Sequence, residues 1–525
     1  MDEHRLVDAN NIETKPFGPP FSSFAYVDKQ YSSENSAIRR LFSLARSHSA
    51  RTLMIEKIEP AGIILDENEE IKNYFPNNYM MTGLHRVSFW KSNFKVPDER
   101  VCNAQTCVGY AVLKKDKVIS KNLNEWHVFE AVFRKYQHKH NCVPNSMQYK
   151  VKLGGIVINL KGLLYAQQNT LNKACAQVAL RSVLSRIVKG DVSYKRINDL
   201  AQQVSPRTFN PADGLDAIQI RAVLTGFGIG FLDFDYTQYD DPNERARERE
   251  SNPYQKYIYS GVESGIGALL GFRLTGPAIK GDLCHIIPFY GHTFNKDTWA
   301  PEADITYFRV GENLRYVSSE NWTSSFLGHD DNFGPNFCVP RLYIPRDSVD
   351  YVVELLKPKA VFGGAQAEAL ALNFLYSVLN KIGPSKNAWL QRLAYYANPS
   401  VQLVVLRAIA VNRDKYIRHL SNETDWSQNS EDTEIITILK QFLPKTLWVI
   451  EISIPQLFPA NERKLGEIVL NGECELGSDN SVKNSLFLLA RLPCFYFFEY
   501  SKKKKLDFLR VPSKLTSHFP VIRLK

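Results

Sequence analysis

The sequence predicts a multidomain α+β protein, and three observations carry that reading. At 525 residues the chain exceeds what one hydrophobic core organises; a prior of about one domain per ~150 residues suggests three, with two or four left open. Hydrophobic residues make up 44%, aromatics 12% and charged residues 23%, so by composition no large part of the chain reads as disordered. Strand-like and helix-like periodicities also occupy different blocks of the chain rather than alternating evenly.

Residues 1–150 read as an N-terminal α+β domain whose first 35 residues, rich in Pro, Gly and Ser, form an irregular lead-in. A short helix is expected over Ala37 to Ser47. From Arg51 the texture is strand-like, in Leu53 to Ile58, Gly62 to Leu65, Leu84 to Trp90 and Gly109 to Lys114, separated by turn signals. Trp126 to Tyr136 reads as a short helix or strand, and Tyr149 to Leu160 is a closing apolar run.

Residues 151–352 form the middle block. Ala176, Ala179, Leu180, Val183, Leu184 and Ile187 fall at i, i+3, i+4, i+7, i+8 and i+11, one apolar face of a helix that Cys175 opens. Gly214 to Gly228 reads as a second helix closed by a glycine, and Ile229 to Phe234 as a strand. Tyr257 to Gly261 suggests a helix, and Gly267 to Phe272 a strand. A strand beginning at His285 runs toward Phe294. After an excursion over Asn295 to Asn321, Thr323 to His329 forms a strand that runs into Asp330, Asp331 and Asn332. Residues 353–420 are expected to be helical, in Ala365 to Ile382, Ala388 to Tyr396 and Val401 to His419. A polar linker, Ser421 to Thr433, opens a β-rich C-terminal domain over 421–525, with strands at Leu447 to Ile454, Leu465 to Leu470, Ser485 to Tyr500 and Leu506 to Val511.

Composition excludes several functions. Lys+Arg 65 against Asp+Glu 55 gives +10, mild for this length and concentrated only at Lys502 to Lys505, which reads as a solvated hairpin turn; nucleic acid is not indicated. Gly261 to Gly267 lacks the strand and spacing of a phosphate loop, and no cofactor is expected. The first residues, Met1 to Asp8, show no basic region followed by an apolar one and no window of about 18 apolar residues occurs, so a cytoplasmic protein with no membrane partner is expected. The 8 cysteines form no CxxC pair, as reduced thiols do not need to. His138, His140 and Cys142 alternate and would share one face of a strand. That spacing admits a metal, but no second ligand cluster is evident, so a solvated basic loop is preferred and no metal is expected.

The chemistry-bearing residues lie in the middle block. Backbone N–H groups in a helix's first turn lack intrahelical partners and carry the positive end of the dipole, which favours a thiolate at Cys175; a small buried residue is the competing reading. A thiol nucleophile needs a base, a group that orients the base, and donors for the oxyanion. His285 follows Cys175 by 110 residues at the start of a strand, where a substrate can reach it. Side chains alternate along a strand, so His292 points to the opposite face and is assigned to packing or the surface. Asp330, Asp331 and Asp297 are candidates to orient His285. Asp330 is preferred because Pro301, Glu302 and Asp304 make the stretch after Asp297 a poor strand, whereas Phe326 and Leu327 lead directly into Asp330.

These pieces, in this order, resemble the papain-like cysteine peptidases, and most closely the bacteriocin-processing, double-glycine-leader type. Gln168 to Leu184 is similar to that family's glutamine followed by a cysteine that starts an Ala/Leu-rich helix. Gly214 to Gly228, His285 to Gly291 and Gly328 to Pro335 are similar to its following helix, its histidine strand and its acidic turn. The resemblance covers only about residues 155–350. It implies a central papain-like domain, a Cys175, His285, Asp330 triad, and Gln168 as oxyanion donor acting on a peptide or protein substrate. The family's glutamine stands six residues before its cysteine, a position held here by Asn169, and Ala176 replaces the usual glycine. Three rival readings stay open: acyl transfer to an amine, a catalytically inactive scaffold that binds a partner, and a metal site built from His285, His292, His329 and Asp330. The oligomeric state is not legible.

Overall fold

The computed structural model describes residues 12–17, 29–31, 35–135, 141–144, 146–169, 171, 174–190, 192–205, 210, 214–274, 283–293, 307–310, 314–382, 385–422, 430–458, 462–476, 486–502, 505–512 and 517–524. They form a mixed α+β molecule with three large sheets, each covered by helices. No helix among them is long and apolar enough to cross a membrane.

The first sheet is antiparallel and contains β1 (Ile12–Pro16), β2 (Thr52–Lys57), β3 (Tyr79–Trp90), β4 (Cys107–Val118) and β5 (Leu123–Phe133). After the two-residue β6 (Asn141–Cys142), which belongs elsewhere, the hairpin of β7 (Met147–Leu153) and β8 (Ile156–Tyr165) completes it in the order β1-β2-β3-β4-β5-β8-β7. Helix α1 (Ser36–Ser47) packs Ile38, Leu41 and Phe42 on one face, and its N-cap Asn35 accepts from Ile38 N. Helix α2 (Ile63–Tyr74) places Ile64 against the other.

Two expectations are corrected here. Ile12–Pro16 is an edge strand rather than part of an irregular lead-in; its partner, Thr52 to Glu56, lies too far along the chain for a local pattern to show. Gly62 to Leu65 is not a strand, because Ile64, Glu67, Asn68 and Ile71 are the buried side chains of α2, a helical spacing.

The middle chain supplies α3 (Cys175–Leu184), α4 (Tyr194–Val204), α5 (Ala217–Gly226), α6 (Pro242–Ser251) and α7 (Tyr254–Glu263). Its antiparallel sheet contains β9 (Phe231–Asp235), β10 (Ala268–Leu274) and β11 (Leu283–Thr293). The chain then crosses to the third sheet as β12 (Tyr307–Val310) and β13 (Leu314–Ser318) before returning as β14 (Ser325–Asp330), β15 (Gly334–Pro340) and β16 (Val349–Leu355). The strand order is β15-β14-β11-β10-β16-β9, and β6 pairs with the far end of β11. Helices α3, α4 and α5 bury one face through Leu180, Ile197 and Val223 against Leu269, Ile286 and Val353. Helix α7 buries the other through Tyr257 and Ile258 against Leu270, Ile287 and Phe289.

The third sheet continues with β17 (Val405–Asn412), β18 (Thr446–Ser453), β20 (Gly466–Asn471), β21 (Phe487–Leu492), β22 (Phe495–Lys502) and β23 (Lys505–Pro512), while β19 (Arg463–Lys464) pairs with β24 (Phe519–Pro520). Helices α8 (Gly364–Ile382) and α9 (Ala388–Ala397) cover one face, and α10 (Arg413–Ser421) and α11 (Ser430–Phe442) the other. Val401 to His419 was expected to be one helix, and the structure divides it. Leu406, Ala408 and Ala410 face α8 while Ile409 and Val411 face α10, the period of a strand buried on both sides. Only after Asn412, whose side chain accepts from Lys415 N, does a helix begin. Ser485 to Tyr500 likewise divides into β21 and β22 at a turn where Cys494 takes a φ of 69°.

Candidate active site

Cys175 is the first residue of α3, and its N-cap Ala174 makes no side-chain capping bond. The helix is buried on both sides. Ala176, Ala179 and Leu180 pack toward the middle sheet, while Val178 joins the core of the first. On the polar side, Arg181 donates to Phe129 O at 2.9 Å and to Glu130 Oε2 at 2.7 Å. Two sheets thus grip the element that carries the thiol, and Cys175 remains half-buried at its tip.

His285 lies in β11 opposite Phe272 of β10, and the two rings meet edge to face. Nε2 of His285 is 3.1 Å from Asp330 Oδ2 and 3.4 Å from Asp331 Oδ1, and the same ring hydrogen-bonds the Cys175 side chain. With Nε2 held between carboxylates, Nδ1 is the nitrogen left for the thiol. Asp330 ends β14, which pairs antiparallel with β11. Its Oδ1 accepts from the backbone N–H of Asn332 at 2.8 Å and of Phe333 at 3.0 Å, so a tight turn aims Oδ2 at the ring.

The electrostatics separate the two aspartates. Burial opposes the imidazolium of His285, but the bonds to Asp330 and Cys175 and the charge of Asp331 override it and raise the pKa from 6.5 to about 10. Burial also works against the Asp330 carboxylate, but the hydrogen bond and charge of His285 and the backbone N–H groups of Phe333 and Asn332 together outweigh it, holding the carboxyl below its ordinary value. For Asp331 burial wins: His285 offsets only part of it, the Asp330 charge adds to it, and the pKa rises to about 6. Asp331 Oδ2 is buried with no hydrogen-bond partner among the described residues. The site holds one imidazolium between two acids, one firmly ionised and one with a pKa close to neutrality.

The amides before Cys175 divide by partner. Gln167 accepts from Val128 N at 3.0 Å and Asn169 donates to Glu67 Oε1 at 3.3 Å, so both tie the segment to the first sheet and α2. Gln168 instead donates to Asn332 Oδ1 at 3.2 Å, on the acidic turn. A small cavity of about 30 Å³, room for little more than a water molecule, lies next to the N-cap of α3, lined by Ala174, Gln177, Asn169, Glu67, Glu70 and Asn198 among others. Glu70, pushed up by burial and hydrogen-bonded by Asn198 at 3.0 Å, carries no sequence signal of its own: it lies in α2 beyond the Gly62 to Leu65 stretch, and its partner is 128 residues away.

Asp297, His138 and His140 lie outside the described residues. His285 and His292 lie at opposite ends of β11, and His329, which meets Asn336 N at 3.4 Å through Nδ1, joins neither cluster, so the metal reading built on those histidines loses its geometry. His292 is fully buried, but with Glu263 and Cys142, a grouping the sequence did not signal. No protein-family model matches the chain, and no curated protein matches it.

Proposed function

We propose that the protein is a cysteine-dependent hydrolase of the papain-like kind, cleaving a peptide or isopeptide bond through a thioester on Cys175. The observation that carries this reading is His285, which bonds the Cys175 side chain and, through Nε2, two carboxylates. The thiol proton passes to Nδ1, and Asp330 holds the resulting imidazolium. The sulfur attacks the substrate carbonyl carbon, a C–S bond forms, and the carbonyl electron pair moves onto oxygen. First-turn N–H groups of α3 offer donors to that oxyanion, and Gln168 is the side-chain amide assigned to assist them. As the oxyanion collapses, the C–N bond breaks and the leaving amine takes the proton from His285. Water then gives a proton to His285 and attacks the thioester, releasing the acid and restoring the thiol.

Alkylation tests this reading. At about pH 6 ordinary thiols are protonated, so iodoacetamide should mark Cys175 ahead of the other cysteines, and His285→Ala should abolish the preference. Equal labelling of Cys175 and the exposed Cys284 and Cys338 would overturn the assignment.

A further inference from the structure

His292 lies near the far end of β11 from His285, seven residues away and so about 23 Å along the strand. Its Nδ1 faces Thr293 O at 3.0 Å, with Thr323 Oγ1 at 3.4 Å, and its Nε2 meets Glu263 Oε1 at 2.5 Å. Cys142 of β6 sits directly across from His292 in the strand pairing; its thiol lies 3.9 Å from the same Glu263 oxygen and hydrogen-bonds His292. The other Glu263 oxygen is gripped by Arg407 of β17, through Nε at 3.1 Å and through Nη2. Arg407 in turn pairs with Glu451 of β18. Sulfur, nitrogen and oxygen donors from three elements all lie within 4.8 Å of one another, with His292 and Glu263 buried and Cys142 half-buried.

We propose that Cys142, Glu263 and His292 form a divalent-metal site of the zinc type that fastens β6 and α7 to the end of β11. One thiolate, one imidazole and one carboxylate are the donors zinc takes, and three protein ligands leave a fourth tetrahedral position open. In such a site neighbouring donors stand about 3.4–3.8 Å apart, as follows from metal–ligand bonds of about 2.0–2.3 Å. The thiol-to-carboxylate distance of 3.9 Å is close to that, and the imidazole-to-carboxylate contact of 2.5 Å has to open by about 1 Å as the ion enters. The surroundings fit the same role. The Thr293 carbonyl at Nδ1 fixes the ring with Nε2 toward the cluster, and Arg407 engages one carboxylate oxygen while the other faces the donors. Ligation uses the thiolate and the neutral imidazole, so protons leave as the dication enters. His285, Asp330 and Asp331 are a second close donor group, but that ring is already shared with Cys175.

The test uses the full-length metal-free protein titrated with Zn²⁺ by calorimetry and with Co²⁺ by absorption. One equivalent should bind with a thiolate-to-cobalt charge-transfer band, and Zn²⁺ should raise the unfolding temperature. Cys142→Ser, and Cys142→Ala as a second variant, should remove the band and weaken Zn²⁺ binding by more than about tenfold, while Cys175→Ser leaves both intact. Absence of the band in the parent, its survival in both Cys142 variants, or its loss in Cys175→Ser overturns the proposal. Alkylation of Cys175 in Cys142→Ser is read separately, so failure of the metal site and failure of the hydrolase reading give different results.

Discussion

The two ends of β11 carry the same three kinds of side chain, and the charges around them differ. At the first end one imidazole faces two carboxylates, Asp330 and Asp331. At the other, in the metal-free protein, one carboxylate, Glu263, faces two cations, His292 and Arg407. Both histidines are raised to about 10 against burial, but the acids part company: Asp331 goes up to about 6, while Glu263 is held down near 2. An end with surplus carboxylate can give and take a proton near neutral pH. An end with surplus cation cannot, and it behaves as a clamp. The same residue types therefore suit chemistry in one place and fastening in the other, decided by the second acid in one case and the arginine in the other.

The largest effect is expected from Asp330→Asn. The new Oδ1 can keep the turn by accepting from Asn332 and Phe333, as Asp330 does now. Its Nδ2, however, presents a donor to His285 Nε2, which forces the neutral ring to carry its proton on Nδ1, where it cannot accept one from the thiol. A fall of about 10³–10⁴-fold in the Cys175 alkylation rate, with the unfolding midpoint little changed, is the expected outcome. A fall below about tenfold would mean that Asp331 substitutes for Asp330, and the division of labour between the acids would fail.

At the other end the expected loss is of stability. In the metal-free protein, Glu263→Gln leaves His292 without its carboxylate and Arg407 with Glu451 alone, which should cost about 1–3 kcal/mol. The pH dependence follows from the shifts. Glu263 falls from 4.5 to about 2, so its contribution is present above about pH 4.5 and lost as pH drops toward 2. His292 rises from 6.5 to about 10, so its contribution is complete below about 6.5 and lost as pH climbs through 10. The gap between parent and variant, measured by urea unfolding, should be widest between those limits; a gap that does not vary with pH would show that the cluster is not an ion-paired clamp.

Sequence patterns made the first end legible and left the second hidden. Cys175 opens a helix whose apolar spacing is local, His285 lies near the start of an apolar strand, and Asp330 closes the next one. Each is visible within a dozen residues. Glu263 meets partners 29, 121 and 144 residues away, so no local period announces it, and strand alternation could say only that His292 points away from His285. The fold divides the same way. Hairpins and amphipathic helices such as α1 and α8 were readable, whereas β17, buried on both faces, has the continuous apolar texture that a buried helix also has. Strand β1 depends on a distant partner, and Gly62 to Leu65 has the apolar texture of a short strand although Ile63 starts α2.

The smallest effect, and the one that isolates the surplus acid, belongs to Asp331→Asn. Because the Asp331 carboxyl rises from 3.8 to about 6 in the folded chain, its protonated form is favoured there, and stability is lost as pH climbs through 6. A side chain that never ionises escapes that loss, so the variant should be more stable than the parent by on the order of 1–3 kcal/mol at about pH 8, and the difference should vanish at about pH 4. The effect on the thiol runs the other way. Ionised Asp331 adds a second negative charge 3.4 Å from His285 Nε2 and strengthens the imidazolium that pairs with Cys175. The parent's alkylation rate should therefore step up a few-fold near pH 6, and the variant should lack the step. Stability and reactivity moving in opposite directions across the same pH interval is what a surplus carboxylate at a working site requires. If both stay flat, Asp331 is another buried acid and the contrast between the two ends of β11 reduces to the arginine alone.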